Sequence, residues 1–167
     1  MLKSMKNILA ALAILAPLSA MADAPTPLGP NGGKFGNWMT ATYGTGDAKI
    51  CYAFTKPQIS TPHLASRGLV MLTVPERQGS RDEISITPGY SYPQKAVVSL
   101  TLCKNKIPFY VQDNVAYTDS TSAALAGFAK QDMAMAASTG PKHKPVTDQF
   151  SLSGFSAAHA AIIRACP

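Results

Sequence analysis

Near its end the chain reads TDQFSLSGFSAAHAAIIRAC, residues 147–166, where a strand pattern changes directly into a helix pattern. Up to Leu152 the residues alternate as in a strand with one buried face. After Gly154 the Ala-rich composition favours a helix, and the Ser153 hydroxyl is placed to cap its first turn. Spacings of three, four and four put four residues on one helix face: Phe155, Ala158, Ile162 and Cys166. We therefore expect this helix to dock on a sheet through the face that carries its cysteine.

The chain has three cysteines, so at least one of them cannot pair within the molecule. We favour a disulfide between Cys51 and Cys166, which would tie the terminal helix to the sheet. Closing so long a loop stabilises a fold by up to about 4 to 5 kcal/mol, less any strain. Cys103 is then free or bonded to another molecule, and the second case would give a homodimer through Cys103.

The first 22 residues have the organisation of a secretory signal peptide. Lys3 and Lys6 precede an apolar run, Ile8 to Leu18, that is too short to span a bilayer, and small residues follow at positions 20 and 22. We expect cleavage after Ala22 and export to the periplasm, the outer-membrane surface or the medium. No second apolar run of spanning length follows, so we expect no transmembrane segment in the mature chain.

Residues 23–34 are a Pro and Gly-rich leader that we expect to be loosely ordered, and residues 35–167 form a single β-rich domain. The formal charge falls from +6 to +4 when Lys3 and Lys6 leave with the signal peptide. The remaining basic residues are scattered along the chain. Nucleic acids and anionic lipids need denser basic clusters, so we expect no nucleic-acid partner.

Short strands separated by turn residues fill most of the domain. They cover about residues 38–43, 49–55, 68–74, 83–87, 95–102, 107–111, 115–117, 133–137 and 146–152, with helices at about 123–130 and from 155. Pro75 is expected to end its strand, Pro108 to mark an edge strand, and Lys56 to Arg67 to form a loop. The pattern predicts a mainly β fold, an antiparallel β-sandwich or partly open barrel with two short helices near the C-terminus; an α+β fold is the alternative.

The residues do not form a recognisable catalytic or metal site. No G-x-S-x-G nucleophile motif occurs, and the adjacent acids Asp82 and Glu83 would point to opposite sides of a strand. The histidines, His63, His143 and His159, lack the spacing of zinc ligands. We therefore expect no catalytic residue, no metal and no cofactor, and a protein that is not an enzyme.

The segment from Glu76 to Asp82 carries more charge than any other part of the chain. In and beside it, Arg77, Arg81 and Glu83 surround a glycine. Guanidinium groups on a loop bind carboxylates and phosphates well, so these three residues form the candidate binding surface. A structural ion pair between Arg81 and Glu83 is the simpler interpretation, and both stay open at this point.

Several short motifs together resemble the invasion-associated locus B family. They are FGNW at 35–38, CY at 51–52, KP at 56–57, GxRxExS at 79–85, TDxFSLSGFxAA at 147–158 and AC at 165–166. The resemblance covers nearly the whole mature chain, and the terminal strand and helix are its most specific part. Such proteins are small exported proteins of alphaproteobacteria; some members are linked to entry into host cells, and no enzymatic activity is established for them.

The resemblance marks eight positions in this chain: Trp38, Cys51, Gly79, Arg81, Glu83, Gly154, Phe155 and Cys166. The chain departs from the family at Cys103, where a small polar residue is expected, and at Thr139 to Pro145, which replaces an Arg-Gly-Thr-like loop. Our leading hypothesis is an exported, non-enzymatic envelope protein that binds an envelope component or a host protein through its loops. The alternative is a thiol-dependent redox enzyme or chaperone that uses an unpaired cysteine.

Overall fold

The computed structural model describes residues 24–77, 79 and 83–167, so the predicted signal peptide and Arg81 lie outside the described residues. These residues form twelve strands and three short helices, which confirms the mainly β prediction. The strands are β1 (Thr26–Pro27), β2 (Lys34–Phe35), β3 (Trp38–Tyr43), β4 (Ile50–Thr55), β5 (Ile59–Thr61), β6 (Met71–Arg77), β7 (Ser85–Thr87), β8 (Val98–Leu102), β9 (Asn105–Gln112), β10 (Val115–Tyr117), β11 (Met133–Thr139) and β12 (Pro145–Ser151). The helices are α1 (Pro30–Gly33), α2 (Thr121–Phe128) and α3 (Phe155–Ala165).

All strands belong to one open antiparallel sheet, in the order β1-β3-β4-β6-β7-β10-β9-β8-β11-β12-β5, with β2 paired to β3. Strand β9 joins the two halves of this sheet, because its first residues pair with β8 and its last three pair with β10. The sheet curls until strands near its two ends meet. There the indole N–H of Trp38 in β3 donates to the carbonyl of Ser151 in β12 at 3.1 Å. The arrangement is the partly open form of the predicted architecture.

Three aromatic side chains from distant parts of the chain form the centre of the core. The ring centroid of Phe155 lies 4.9 Å from that of Trp38 and 5.1 Å from that of Phe128, and both contacts are edge-on. All three residues are buried, so they combine a large buried apolar area with a favourable ring geometry. They belong to β3, α2 and α3, and the core therefore ties the terminal helix to both the start and the middle of the domain.

The predicted face of the terminal helix is confirmed, since all four of its residues are buried: Phe155, Ala158, Ile162 and Cys166. The predicted cap is wrong: Gly154 rather than Ser153 precedes the first helical residue, and no side chain caps the helix. Gly154 has a φ of 92°, and a Cβ at this position would lie 2.0 Å from the carbonyl oxygen of Phe35. Ser153 contributes its backbone instead, because its carbonyl accepts from the Asn37 N–H at 3.0 Å.

Two prolines lie inside paired strands, which corrects the predicted strand end at Pro75 and the predicted edge strand at Pro108. Pro75 pairs with Tyr52 of β4, and Pro108 pairs with Ser99 of β8. On the other side, the pairing of β6 with β7 and of β9 with β10 stops short of each proline. A proline is tolerated inside a strand when its nitrogen faces a side that has no neighbouring ladder, because the missing N–H then interrupts no hydrogen bond.

Two segments predicted as irregular are part of the sheet. The leader was expected to be loosely ordered, yet Thr26 and Pro27 pair with β3, and the Leu28 N–H donates to the Thr40 carbonyl at 3.0 Å. The predicted loop from Lys56 to Arg67 contains β5, which pairs with β12 and ends the sheet. Strands of two or three residues are too short to show a periodic pattern in the sequence.

Candidate binding surface

Two of the three charged residues predicted as a binding surface are described: Arg77 ends β6, and Glu83 lies just before β7. Nη2 of Arg77 is 3.0 Å from Oε2 of Glu83, and the two side chains are 44% and 41% exposed. The structure thus pairs Glu83 with Arg77, whereas Arg81, the partner preferred from the sequence, lies outside the described residues. An ion pair this exposed adds about 1 kcal/mol or less to stability. Its charged groups are therefore accessible to a partner molecule.

Beside this ion pair, outward-facing residues of five neighbouring strands lie in register across the first half of the sheet. We call them the aromatic row: Phe54 (β4), Thr73 (β6), Ser85 (β7), Tyr117 (β10) and Tyr110 (β9). Most of their neighbours along each strand are buried, whereas all five keep part of their surface exposed, Tyr110 the most at 48%. Helix α3 packs on the opposite, inner face of this half. The aromatic row therefore presents three rings and two small hydroxyl groups to the outside.

Each end of the aromatic row is reinforced by a second ring. The Tyr117 and Tyr110 centroids are 5.9 Å apart, and the Phe54 centroid is 5.8 Å from that of Tyr52, which points outward two positions earlier on β4. Partial burial raises the pKa of Tyr52 and of Tyr117, and the nearby Glu83 carboxylate raises that of Tyr117 further. Both phenol groups are therefore uncharged at neutral pH. Because the Glu83 carboxylate lies close enough to Tyr117 to affect its pKa, the ion pair and the aromatic row form one continuous surface.

A buried ion pair elsewhere in the sheet holds its last strands together. Nη1 and Nη2 of Arg67 each lie 2.7 Å from a carboxylate oxygen of Asp148, and the Ser60 hydroxyl donates to the same carboxylate at 2.6 Å. Arg67 also donates to the Pro88 carbonyl and lies over the Tyr90 ring. The side chains of Arg67 and Asp148 are only 7% and 2% exposed. Because these groups satisfy one another, we assign them a structural role.

A second buried carboxylate lies beneath α3. Glu76 is 1% exposed, and its Oε1 is 3.9 Å from Nε2 of His159. The His159 ring stacks on Phe155, with 5.2 Å between centroids, and Glu76 pairs across the strands with Cys51. These contacts connect α3 to β4 and β6 at the point where the disulfide is expected.

The cysteines are arranged as we favoured from the sequence. The sulfur atoms of Cys51 and Cys166 lie 2.15 Å apart, at disulfide distance, and both residues are buried. The pair joins β4 to the end of α3. Cys103 is exposed at the turn between β8 and β9, where it borders a groove of about 450 Å³ between this hairpin and α2.

The histidines lie on three separate segments, with His63 and His143 in connecting segments and His159 on α3. Among residues 24–77, 79 and 83–167, no three His, Cys, Asp or Glu side chains lie close enough together to hold a metal ion. No helix in this described part of the chain is long and apolar enough to cross a membrane.

The structure brings together some residues singled out in the sequence and adds others. Trp38 and Phe155 are in contact, and Arg77 and Glu83 are paired. The aromatic row was missed. Its members alternate with buried residues along each strand, which is a visible signal, but only the order and register of the strands show that they lie side by side.

Comparison of the chain with protein-family models, with curated proteins and with solved structures finds no match. Membership of the invasion-associated locus B family therefore stays a prediction that rests on the sequence motifs alone.

Proposed function

We propose that this chain is an exported, non-enzymatic envelope protein that binds another macromolecule. Its binding surface is the outer face of the first half of the sheet, where the Arg77–Glu83 ion pair adjoins the aromatic row. The observation that carries this proposal is the exposure of these charged and aromatic groups on one continuous face. Exposed rings and an arginine are the side chains that contribute most to binding in known interfaces.

The use of the buried ionisable groups supports binding rather than catalysis. Asp148 is held by Arg67 and Ser60, Glu76 lies under α3 beside His159, and Cys51 is at disulfide distance from Cys166. Each of these groups connects elements of the fold. Export is supported by the organisation of residues 1–22, and a role in host-cell entry is supported by the family resemblance only.

The proposal is tested by crosslinking the mature protein in its native envelope and identifying captured molecules by mass spectrometry. We expect a recurring, identified partner that is lost with Arg77→Ala and retained with Lys142→Ala. Lys142 provides a matched control, because it is an exposed cation in the connection between β11 and β12, in the second half of the fold. Equal capture by the wild type, Arg77→Ala and Lys142→Ala would show that the partner binds elsewhere.

A second candidate function is favoured by the exposure of Cys103. In this alternative the chain is a thiol-dependent redox enzyme or chaperone, or a homodimer linked through Cys103. The enzyme alternative requires the Cys103 thiol to react faster with a disulfide reagent at neutral pH than free cysteine does. A non-reducing gel tests the dimer, which would run at twice the mass and disappear with Cys103→Ser.

A further inference from the structure

We infer that the aromatic row binds a single chain of neutral sugars, laid across the strands. This inference rests on the proposed function and names the ligand class of the same face. The ligand chemistry is that of β-linked pyranose units whose ring substituents are all equatorial. Such a chain alternates apolar C–H faces with hydroxyl-rich edges.

The length of the aromatic row fits several sugar units rather than one. Phe54 and Tyr117 lie three strands apart in the sheet, and Tyr110 lies one strand further. Neighbouring strands are separated by about 4.8 Å, so the rings span about 14 to 19 Å. Thr73 and Ser85 occupy the interval between the rings, in the same register. The surface is therefore a track with aromatic ends and a hydroxyl-bearing middle.

The chemistry of this track matches that of a sugar chain. The face of an aromatic ring carries negative charge density, which attracts the slightly positive C–H groups on the face of a pyranose ring. Serine and threonine hydroxyls both donate and accept hydrogen bonds, as sugar hydroxyls do. The aromatic row contains no charged residue, and the adjoining Arg77 and Glu83 neutralise each other at 3.0 Å. A neutral ligand consequently fits better than an anionic one.

The position of the aromatic row in the sheet disfavours a peptide ligand. An extended peptide binds most readily by adding a strand at a sheet edge, where backbone groups lack partners. The aromatic row instead crosses strands β4, β6, β7, β10 and β9, which are all interior to the sheet order. Only side chains are available to a ligand there.

The twist of the sheet selects a single chain over a crystalline polysaccharide. Adjacent strands rotate by about 20 to 25°, so Phe54 and Tyr117 differ in orientation by about 60 to 75° over three strands. A flat crystal face cannot contact both ends of such a surface. An individual flexible chain can follow it.

The test measures binding of two uncharged β-linked chains, cellohexaose and hexa-N-acetylchitohexaose, to the mature protein by titration calorimetry. We expect a dissociation constant at or below about 1 mM for at least one of these probes. Tyr117→Ala and Tyr110→Ala should each weaken that binding about three- to tenfold, the size of effect expected for one ring contact. Tyr117→Phe keeps the ring, so its dissociation constant should lie within about twofold of the wild-type value. Thr73→Val replaces only the hydroxyl and should weaken binding by about the same factor as the loss of one ring.

Met135→Ala is the control. Met135 is 42% exposed and lies on β11, in the second half of the sheet and outside the proposed binding surface. We expect this variant to bind both probes as the wild type does, and near-ultraviolet circular dichroism of each variant checks that it is folded. Binding that survives Tyr117→Ala and Tyr110→Ala together, in a folded protein, would overturn the inference.

Absence of binding to both sugar probes would also overturn the inference. The crosslinking experiment then shows whether the proposed function still stands. If a partner is still captured and Tyr117→Ala abolishes the capture, the proposed function stands and its ligand is of another class. If neither a sugar probe nor a partner is bound, both the inference and the proposed function fail.

Discussion

Replacing Cys51 and Cys166 together by alanine should lower the free energy of unfolding by about 4 to 5 kcal/mol. The magnitude follows from the 115-residue separation of the two cysteines, because a crosslink over such a loop removes much of the conformational freedom of the unfolded chain. A domain of this size is stable by only about 5 to 15 kcal/mol, so the loss would bring it close to unfolding. The unfolded chain should also become more extended, which raises the dependence of the unfolding free energy on denaturant.

Urea unfolding of the double variant, the wild type and Cys103→Ala measures this effect. Cys103 is exposed and outside the pair, so Cys103→Ala should change the unfolding free energy by less than about 0.5 kcal/mol. Wild-type protein unfolded in the presence of reductant separates the crosslink from the packing of the sulfur atoms. A loss below about 1 kcal/mol in the double variant, or an equal loss in Cys103→Ala, would refute the assigned pairing or its loop-entropy origin.

Three further outcomes concern the buried groups and the turns. Arg67→Met should lower the free energy of unfolding by about 3 to 5 kcal/mol, because it leaves the buried Asp148 carboxylate without its partner. In urea unfolding, the double variant with Asp148→Asn should lose less stability than the sum of the losses in the two single variants. Gly154→Ala should cost more than Gly46→Ala in the same assay, since both positions have positive φ but only the Cβ at Gly154 meets a backbone oxygen at 2.0 Å. Burial raises the pKa of Tyr92 above its ordinary 10.0, so its contribution to stability is fully present below pH 10 and is lost as the pH rises through the folded-state pKa. In the folded protein, ionisation of Tyr92, followed by ultraviolet absorbance, should therefore occur at a higher pH than tyrosine ionisation in the urea-unfolded chain. Coincident titration curves of the folded and unfolded protein would contradict this.

The features that the sequence predicted correctly are those set by local patterns. The packed face of α3 follows from the spacing of four residues within one helix, and no distant partner is needed to recognise it. The strands β4, β8 and β12 likewise show alternation over five residues or more. The prediction of Ser153 as the helix cap was wrong, although serine is a residue type that commonly caps helices. The backbone of Phe35, distant in sequence, approaches the cap position so closely that glycine is required there.

The features that were missed depend on strand order and register. Whether Pro75 and Pro108 fit inside strands depends on where the neighbouring strands end, which neither proline reveals by itself. The ion pair of Arg67 with Asp148 joins residues 81 positions apart. The aromatic row draws its members from residues 54 to 117, and a shift of one residue in any strand pairing would remove that strand's member from the outer face.

The most direct test of the central claim, that the outer face of the first sheet half is the binding surface, is photo-crosslinking in living cells from two single positions. A photoreactive phenylalanine analogue replaces Tyr110 in one protein and Val97 in the other; both residues are well exposed, at 48% and 69%. Only Tyr110 belongs to the aromatic row, whereas Val97 immediately precedes β8 of the second half. We predict a covalent adduct with an envelope macromolecule from position 110 and none from position 97. An adduct from position 97 alone, or equal adducts from both positions, would contradict the account.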